Sequence, residues 1–236
     1  MTNPSYQQRR GQIETYFDRT AAEAWKRLTS DGPLGRIRET VRQGRELMRQ
    51  TLLDWMPQDL SGCRLLDAGC GTGLLSIAAA RRGADVVAVD LSATLVDLAR
   101  ERVPPDLGDA SNGSVDFSVG DMLDASRGEF DYIVAMDSLI HYEPEDALAL
   151  IRGFAAQARR GVIFTFAPRT PALALMHAVG QFFPRGDRSP AIVPIPEKRL
   201  HALIAADDAL KGWRIGRSER IIRGFYTSQG LELIPA

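Results

Sequence analysis

The run "RLLDAGCGTGLLSIAAA", Arg64 to Ala80, constrains the fold more than any other stretch of the chain. A short apolar segment leads into three glycines, Gly69, Gly71 and Gly73, and out into a helix-forming segment. Strand, tight turn, helix is the opening unit of a parallel α/β sheet. Two well-known versions of such a loop do not fit. The dinucleotide spacing G-x-G-x-x-G fails because position 74 is Leu, and the phosphate-loop pattern ending in G-K-[ST] is absent. The glycines still let the backbone turn sharply and approach a ligand closely. Asp67, at the end of the strand, sets a carboxylate beside that turn. A pyrophosphate is repelled by this charge, whereas a cationic amino-acid group is attracted.

From Arg64 onward, strand and helix signals alternate. "DVVAVD" is a strand followed by a helix over "SATLVDLARERV" with Ser92 as N-cap, and Pro104 to Gly113 is a turn-rich loop. "VDFSVGD", "YIVAMD" and "GVIFTFAP" are strands, and "EPEDALALIRGFAAQARR" is a helix with acids at its start and Arg at its end. Short, β-branched, apolar strands of this kind belong to a parallel sheet covered on both faces. "WRIGRSERII" and "FYTSQGLELI" follow one another without a helix, which makes an antiparallel hairpin at the sheet's edge. Residues 5 to 55 contain no strand signal. Apolar Ile37, Val41, Met48, Leu52 and Trp55, with small Gly44 among them, form one helix face, and "SDGPLG" breaks the region into two helices.

Four strands end in acids at one edge: Asp67, Asp90, Asp121 and Asp137. Open α/β sheets bind ligands at the carboxyl ends of their strands. Asp90 is placed to accept both hydroxyls of a ribose, and Asp121 to recognise an adenine amino group. For Asp121 and Asp137 the competing role is that of a cap or loop acid. Cys70 is a small packed residue of the loop rather than a nucleophile.

"DAGCGTG", the acid of "VVAVD", "VGDML" and "AMDSLIHY" together resemble the class I S-adenosylmethionine (SAM) methyltransferases, in order and in rough spacing, over Arg64 to about Pro168. The resemblance implies an α/β, Rossmann-like sheet of seven strands with an antiparallel last strand. It implies cofactor contacts from Asp67, Gly69, Cys70, Gly71, Gly73, Asp90, Leu91, Asp121, Met122 and Asp137. "YFDRTAAEAWKRL", Tyr16 to Leu28, with "SLIHYEPEDALALI" and the tail "GFYTSQGLELI", resembles the magnesium-protoporphyrin IX O-methyltransferases of chlorophyll and bacteriochlorophyll synthesis. In that family a helical N-terminal arm lids the cofactor. The implied organisation is an arm over residues 1–60 and a methyltransferase domain over 61–236, with a helical insert covering the substrate at about 169–207.

The resemblance gives His141 and Tyr16 catalytic roles and sets Tyr16 and Phe17 over the cofactor. The chemistry is consistent with that. A propionate is ionised at neutral pH, so it needs alignment and dryness more than a base. His141 is therefore a positioning group for the attacking carboxylate, and the aromatic pair contributes cation–π attraction of order 1 kcal/mol. The apolar segment "ALALMHAVGQFF" supplies a wall for a flat macrocycle. Arg169, Arg185, Arg188 and Arg199 are candidates for gripping the second propionate. His177 is a packing residue on that apolar segment.

The remaining features set limits. The net charge is −1, and no basic stripe or N-P-P-Y type of motif points to nucleic acid. "PALALMHAVGQFF" is too short to cross a bilayer, and "MTNPSYQQRRGQ" lacks a signal core. Cys63 and Cys70 lie too close along one strand and turn to pair, which fits a reducing cytoplasm. His141, His177 and His201 have no metal-ligand spacing, so no protein-bound metal is expected. Family analogy implies handover of substrate from the porphyrin-binding subunit of magnesium chelatase and peripheral contact with the photosynthetic membrane. Two other readings compete: a methyltransferase for another small apolar acceptor, such as a quinone precursor or a natural-product acid, and a SAM- or porphyrin-binding protein without turnover.

Overall fold

The computed structural model describes residues 4–18, 28–29, 35–108, 113–169 and 192–236. The expected helix over "TPALALMHAVGQFF", Trp25, His177, Arg185 and Arg188 lie outside these residues, as does most of "SDGPLG".

Among the described residues, the helices α1 (Pro4–Tyr16) and α2 (Arg36–Asp54) precede the sheet. Then come β1 (Arg64–Ala68), α3 (Leu74–Ala80), β2 (Asp85–Asp90), α4 (Ala93–Glu101), β3 (Ser114–Val119) and β4 (Phe130–Ala135). The chain continues through α5 (Pro144–Ala155), β5 (Ala158–Phe166), α6 (Glu197–Ala205), β6 (Trp213–Arg223) and β7 (Tyr226–Pro235). The seven strands form one sheet in the order β3-β2-β1-β4-β5-β7-β6. β1 to β5 pair in parallel, while β7 runs antiparallel to both β5 and β6. The strand order reverses between β1 and β4, and that reversal opens the crevice where such sheets take ligands.

Side chains alternate across the sheet into two cores. Leu66 and Ala68 of β1 join Phe130, Ile133, Phe154, Phe164 and Phe166 on the α5–α6 side. Leu65, Val134 and Ile163 join Met48, Leu52, Leu53 and Ile77 on the α2–α3 side. Both faces are thus dry, which is why the strands are nearly continuous apolar runs.

Several boundaries differ from the sequence expectation. The helix begun by Pro144 stops at Ala155; Arg159 and Arg160 start β5 instead, where Arg159 pairs with Glu129 and Arg160 with Asp131. The α2 face begins later than its periodicity predicts. Ile37 is exposed, whereas Gly44, Met48, Leu52 and Leu53 are buried. Gly44 is there for closeness: a Cβ would fall 2.4 Å from the Tyr226 ring. Ser92 caps α4 as expected, its Oγ accepting from the Leu95 amide at 3.2 Å.

Candidate active site

One cavity lies at the carboxyl edge of the sheet, lined by the glycine loop, the ends of β2, β3 and β4, α2 and the N-terminal arm. The glycine loop is built by its own backbone. The Gly69 and Cys70 amides donate to the Val89 carbonyl at 2.8 and 3.0 Å, and the Gly73 amide donates to the Cys70 carbonyl at 3.0 Å. Gly69, Gly71 and Gly73 all have positive φ, +84°, +54° and +77°. Their surroundings separate their roles. Cβ atoms at Gly69 and Gly73 would strike Ser138 and Phe117, both at 2.6 Å, whereas one at Gly71 meets nothing within 4 Å. Gly71 therefore faces open space, and the other two are packed.

Asp90 closes the loop. Its carboxylate accepts the Gly71 amide at 2.8 Å and the Ser92 amide at 2.9 Å. Burial pushes its pKa up, and the backbone donors Ser92, Gly71 and Leu91 oppose that push. Asp67 lies below the loop, 2% exposed, accepting the Ser76 hydroxyl at 2.6 Å. Burial raises its pKa to about 7, with the Asp90 charge adding to the rise. Burial and the same two carboxylates push the Cys70 thiol up, so this cysteine is not an activated nucleophile. Both cysteines are free. Leu91 and Met122 also line the cavity.

Asp121 and Asp137 are more engaged than expected. The N-terminal arm holds Asp121: Tyr6 Oη donates to Oδ1 at 2.7 Å and Arg10 to Oδ2 at 3.2 Å. Tyr6 also stacks on Tyr142, ring centres 5.5 Å apart, and Ser5 donates to both oxygens of Asp146 at the start of α5. Asp18 completes the docking by accepting the Ser92 hydroxyl at 2.6 Å, one residue past Leu91. Asp137 joins three elements. It sits at φ +55°, pairs with Arg45 of α2, and accepts from Thr165 at 3.2 Å, Tyr226 at 3.2 Å and Ser228 at 3.3 Å. Among the described residues it is the non-glycine with positive φ, and this bond set over-determines that backbone.

His141 ends a short 3₁₀ turn, Leu139–His141, after β4. It is buried, 6% exposed. Phe17 meets it edge-on at 6.2 Å, and Tyr16 packs edge-on against Phe17 at 5.3 Å. Phe17 and His141 line the cavity, whereas Tyr16 touches Phe17 without being part of the cavity lining. Of the proposed arginines, Arg169 is exposed and Arg199 pairs with Glu145, and neither reaches the cavity wall. Arg42, Arg45 and Arg49 line it instead. Their spacing of three and four along α2 was available in the sequence as a cationic flank beside the apolar face.

The residues fit a nucleoside-bearing amino-acid cofactor. Gly71 leaves a cradle that a side chain would fill, Asp90 and Asp67 offer acceptors, and Ser138 Oγ is buried without a hydrogen-bond partner among the described residues. No group of three or more His, Cys, Asp or Glu side chains among the described residues is arranged to hold a metal. No described helix is long and apolar enough to cross a membrane.

Comparison with known proteins agrees with this geometry. Residues 135–235 match the family model for the magnesium-protoporphyrin IX methyltransferase C-terminus, and residues 65–161 match a general methyltransferase domain. The magnesium-protoporphyrin O-methyltransferase of Rhodobacter capsulatus is 46% identical over 231 residues, 98% of either chain. A ubiquinone biosynthesis O-methyltransferase of Xanthomonas oryzae is 34% identical over 73% of this chain and 71% of its own. The crystal structure of the Synechocystis magnesium protoporphyrin IX methyltransferase with bound SAH superposes with a TM-score of 0.82 at 28% identity, covering 96% of this chain and 99% of that one. The antiparallel β7, the glycine loop and this full-length likeness have one meaning: the chain is a SAM-dependent methyltransferase and belongs to the magnesium-protoporphyrin O-methyltransferase family.

Proposed function

We propose that this protein esterifies one propionate of magnesium protoporphyrin IX to the monomethyl ester, a step of (bacterio)chlorophyll biosynthesis. The observation that carries this reading is likeness along nearly the whole chain to the Rhodobacter capsulatus enzyme, arm and tail included. The likeness to the ubiquinone enzyme is lower and covers less of the chain.

SAM, when bound, supplies a methyl on a sulfonium for in-line displacement by a carboxylate oxygen. This chain's residues hold and align. Asp90 accepts the ribose hydroxyls while keeping the Gly71 amide in place, and Asp67 faces the methionine ammonium. Gly69 and Gly73 shape the loop, Gly71 and Cys70 border the cofactor, and Leu91 and Met122 flank the adenine. Asp121 recognises the adenine edge with the acceptor capacity left beside Tyr6 and Arg10, and Asp137 supports the methionine end through Arg45. His141, dry beneath Phe17, orients the attacking carboxylate. Tyr16 backs Phe17, so the pair closes as one aromatic unit. Residues 1–60 act as the lid and about 169–207 as the cover over the macrocycle.

The protein works in the cytoplasm, in keeping with two free thiols, and touches the photosynthetic membrane peripherally while receiving substrate from the porphyrin-binding subunit of magnesium chelatase. Incubation with SAM and magnesium protoporphyrin IX, followed by mass spectrometry, gives one added methyl ester. Transfer to a quinol with none to the porphyrin would overturn the reading.

A further inference from the structure

The most exposed apolar side chains among the described residues gather at one corner. They are Ile222 at 60%, Ile37 at 57% and Phe225 at 54%. They come from two elements far apart in sequence and adjacent in space. Arg223 and Tyr226 pair across the end of the β6–β7 hairpin, which leaves Gly224 and Phe225 as its tip. Thr40 of α2 abuts that tip: a Cβ on Gly224 would lie 2.4 Å from the Thr40 hydroxyl. The same hydroxyl donates to the Ile37 carbonyl at 2.8 Å, so Ile37 stands one helical turn further out, beside the tip. The corner is on the cavity side of the sheet. Gln229 pairs with Phe166, the last residue of β5, so Tyr226 lies about 10 Å past the carboxyl edge of the parallel strands. Tyr226, next to Phe225, reaches back to Asp137 in the cavity wall at 3.2 Å.

Cations surround these apolar residues. Arg36 and Arg38 flank Ile37, and Arg223 sits between Ile222 and the tip. All three arginines are exposed and form no ion pair among the described residues. The nearest carboxylate on α2, Glu39, is held by Arg42 and Gln43, and the nearest on β6, Glu219, lies four residues down the strand from Arg223. Unpaired guanidiniums around exposed apolar groups suit a partner that is both anionic and greasy. Shape decides which kind. Ile221 packs on the α2-side core, whereas Ser218 and Arg220 bond Glu197 of α6, so alternation along β6 puts Ile222 on the face away from α2. Ile37 and Ile222 therefore flank the tip on opposite faces of the hairpin. A protein partner would need a cleft enclosing both faces of this projection, whereas a lipid surface closes round a projection of any shape. Arginine suits such a surface, because its head can fork onto a phosphate while its stem follows the apolar residues inward.

We propose that the β6–β7 tip and the first turn of α2 form a docking surface for an anionic membrane, with Phe225, Ile222 and Ile37 entering the acyl boundary and Arg36, Arg38 and Arg223 meeting the lipid phosphates. The inference rests on the porphyrin reading above and names the surface that makes its peripheral contact. A few apolar side chains and a few cations give the reversible binding of a peripheral protein rather than a permanent anchor. Because the tip and the cavity share the carboxyl edge, docking turns the cavity towards the bilayer, where an apolar macrocycle collects. The monoester, with one charge fewer than the diacid, partitions back into lipid more readily than the substrate that left it.

The test is co-sedimentation with vesicles of phosphatidylglycerol or of phosphatidylcholine. It compares wild type with the double variants Ile222→Ser/Phe225→Ser and Arg36→Gln/Arg223→Gln, beside calorimetry with SAM and turnover of detergent-dispersed magnesium protoporphyrin IX. Wild type should bind phosphatidylglycerol vesicles, leave them in about 0.5 M salt, and ignore phosphatidylcholine. Each double variant should bind phosphatidylglycerol roughly tenfold more weakly. SAM affinity and turnover of the dispersed porphyrin should stay within about twofold, which also reports that the variants are folded. With the porphyrin carried in phosphatidylglycerol vesicles, both variants should fall behind wild type. A wild type that ignores phosphatidylglycerol, or variants that bind it as well as wild type does, would overturn the proposal and leave the porphyrin reading intact; in the second case the corner is left to a protein partner. A matching loss of turnover on the dispersed porphyrin would also overturn it, because that assigns the tip to the acceptor site. If wild type docks on the vesicles but esterifies no porphyrin, the porphyrin reading falls and the docking surface stands.

Discussion

The two walls of the cavity are built in opposite ways. The glycine-loop wall is local: Asp67, Gly69, Gly71, Asp90 and Ser92 fall within 26 consecutive residues, and backbone amides make most of its bonds. The Asp137 wall is assembled from afar, with Arg45, Thr165, Tyr226 and Ser228 separated from Asp137 by 28 to 92 positions. The first wall is a turn that the sequence encodes by itself. The second exists only because β7 inserts between β5 and β6 and α2 lies across it. This divides the consequences of mutation: damage to the local wall shows first in cofactor affinity, damage to the assembled wall in stability.

Asp90→Ala should have the largest effect. It removes the acceptor for the ribose and the bond that holds the Gly71 amide at 2.8 Å. Two charge-assisted hydrogen bonds lost imply about a hundredfold weaker SAM binding, read by calorimetry. Thermal stability should change little, since burial already disfavours this carboxylate. Unaltered SAM affinity would remove Asp90 from the cofactor wall.

Asp137→Ala should break the other side. It leaves Arg45 facing the Tyr226, Thr165 and Ser228 hydroxyls without the carboxylate and keeps a positive φ on a residue with a Cβ. About 2 kcal/mol of stability should be lost in denaturant unfolding, with SAM affinity falling by less than in Asp90→Ala. Asp137→Gly relieves the backbone but not the orphaned cation, so it should recover only part of the loss. If Asp137→Gly is as stable as wild type, the strained backbone and not the ion pair dominates this wall.

His141→Ala should reduce kcat about tenfold while SAM affinity holds. The rapid-quench rate of ester formation checks this. A mutant with full kcat would leave His141 as packing beneath Phe17.

What the sequence made legible follows the same division. The strand ends at Asp67 and Asp90, the Ser92 cap and the antiparallel hairpin are contact patterns between near neighbours, and period and turn chemistry expose them. The engagement of Asp121 by Tyr6 and Arg10 bridges more than 110 positions, and no local pattern announces it. The α2 arginines are hidden for a related reason: the cavity draws Arg42, Arg45 and Arg49 from the flank of a helix whose clearest periodic signal is its apolar face, and only the packing of that helix on the sheet brings them to the wall.

The smallest expected effect sharpens the comparison most, because it separates folding from binding at one residue. Asp67 has its pKa raised by burial from the ordinary carboxylate range to about 7. A carboxyl whose pKa is higher folded than unfolded binds more protons when folded, so its contribution to stability is present below about 3.8 and lost as pH rises through about 7. Cofactor binding has the opposite sign. An ammonium is attracted by the ionised form, so SAM affinity should weaken as pH falls, about threefold between pH 7.5 and 6.5 for a group titrating near 7. Without SAM the melting temperature should drift down over the interval in which SAM affinity improves. Asp67→Asn retains an acceptor for Ser76 but cannot titrate, so it should flatten both trends. If the affinity trend survives in Asp67→Asn, another group carries it, and Asp90, whose pKa burial also raises, is the next to replace.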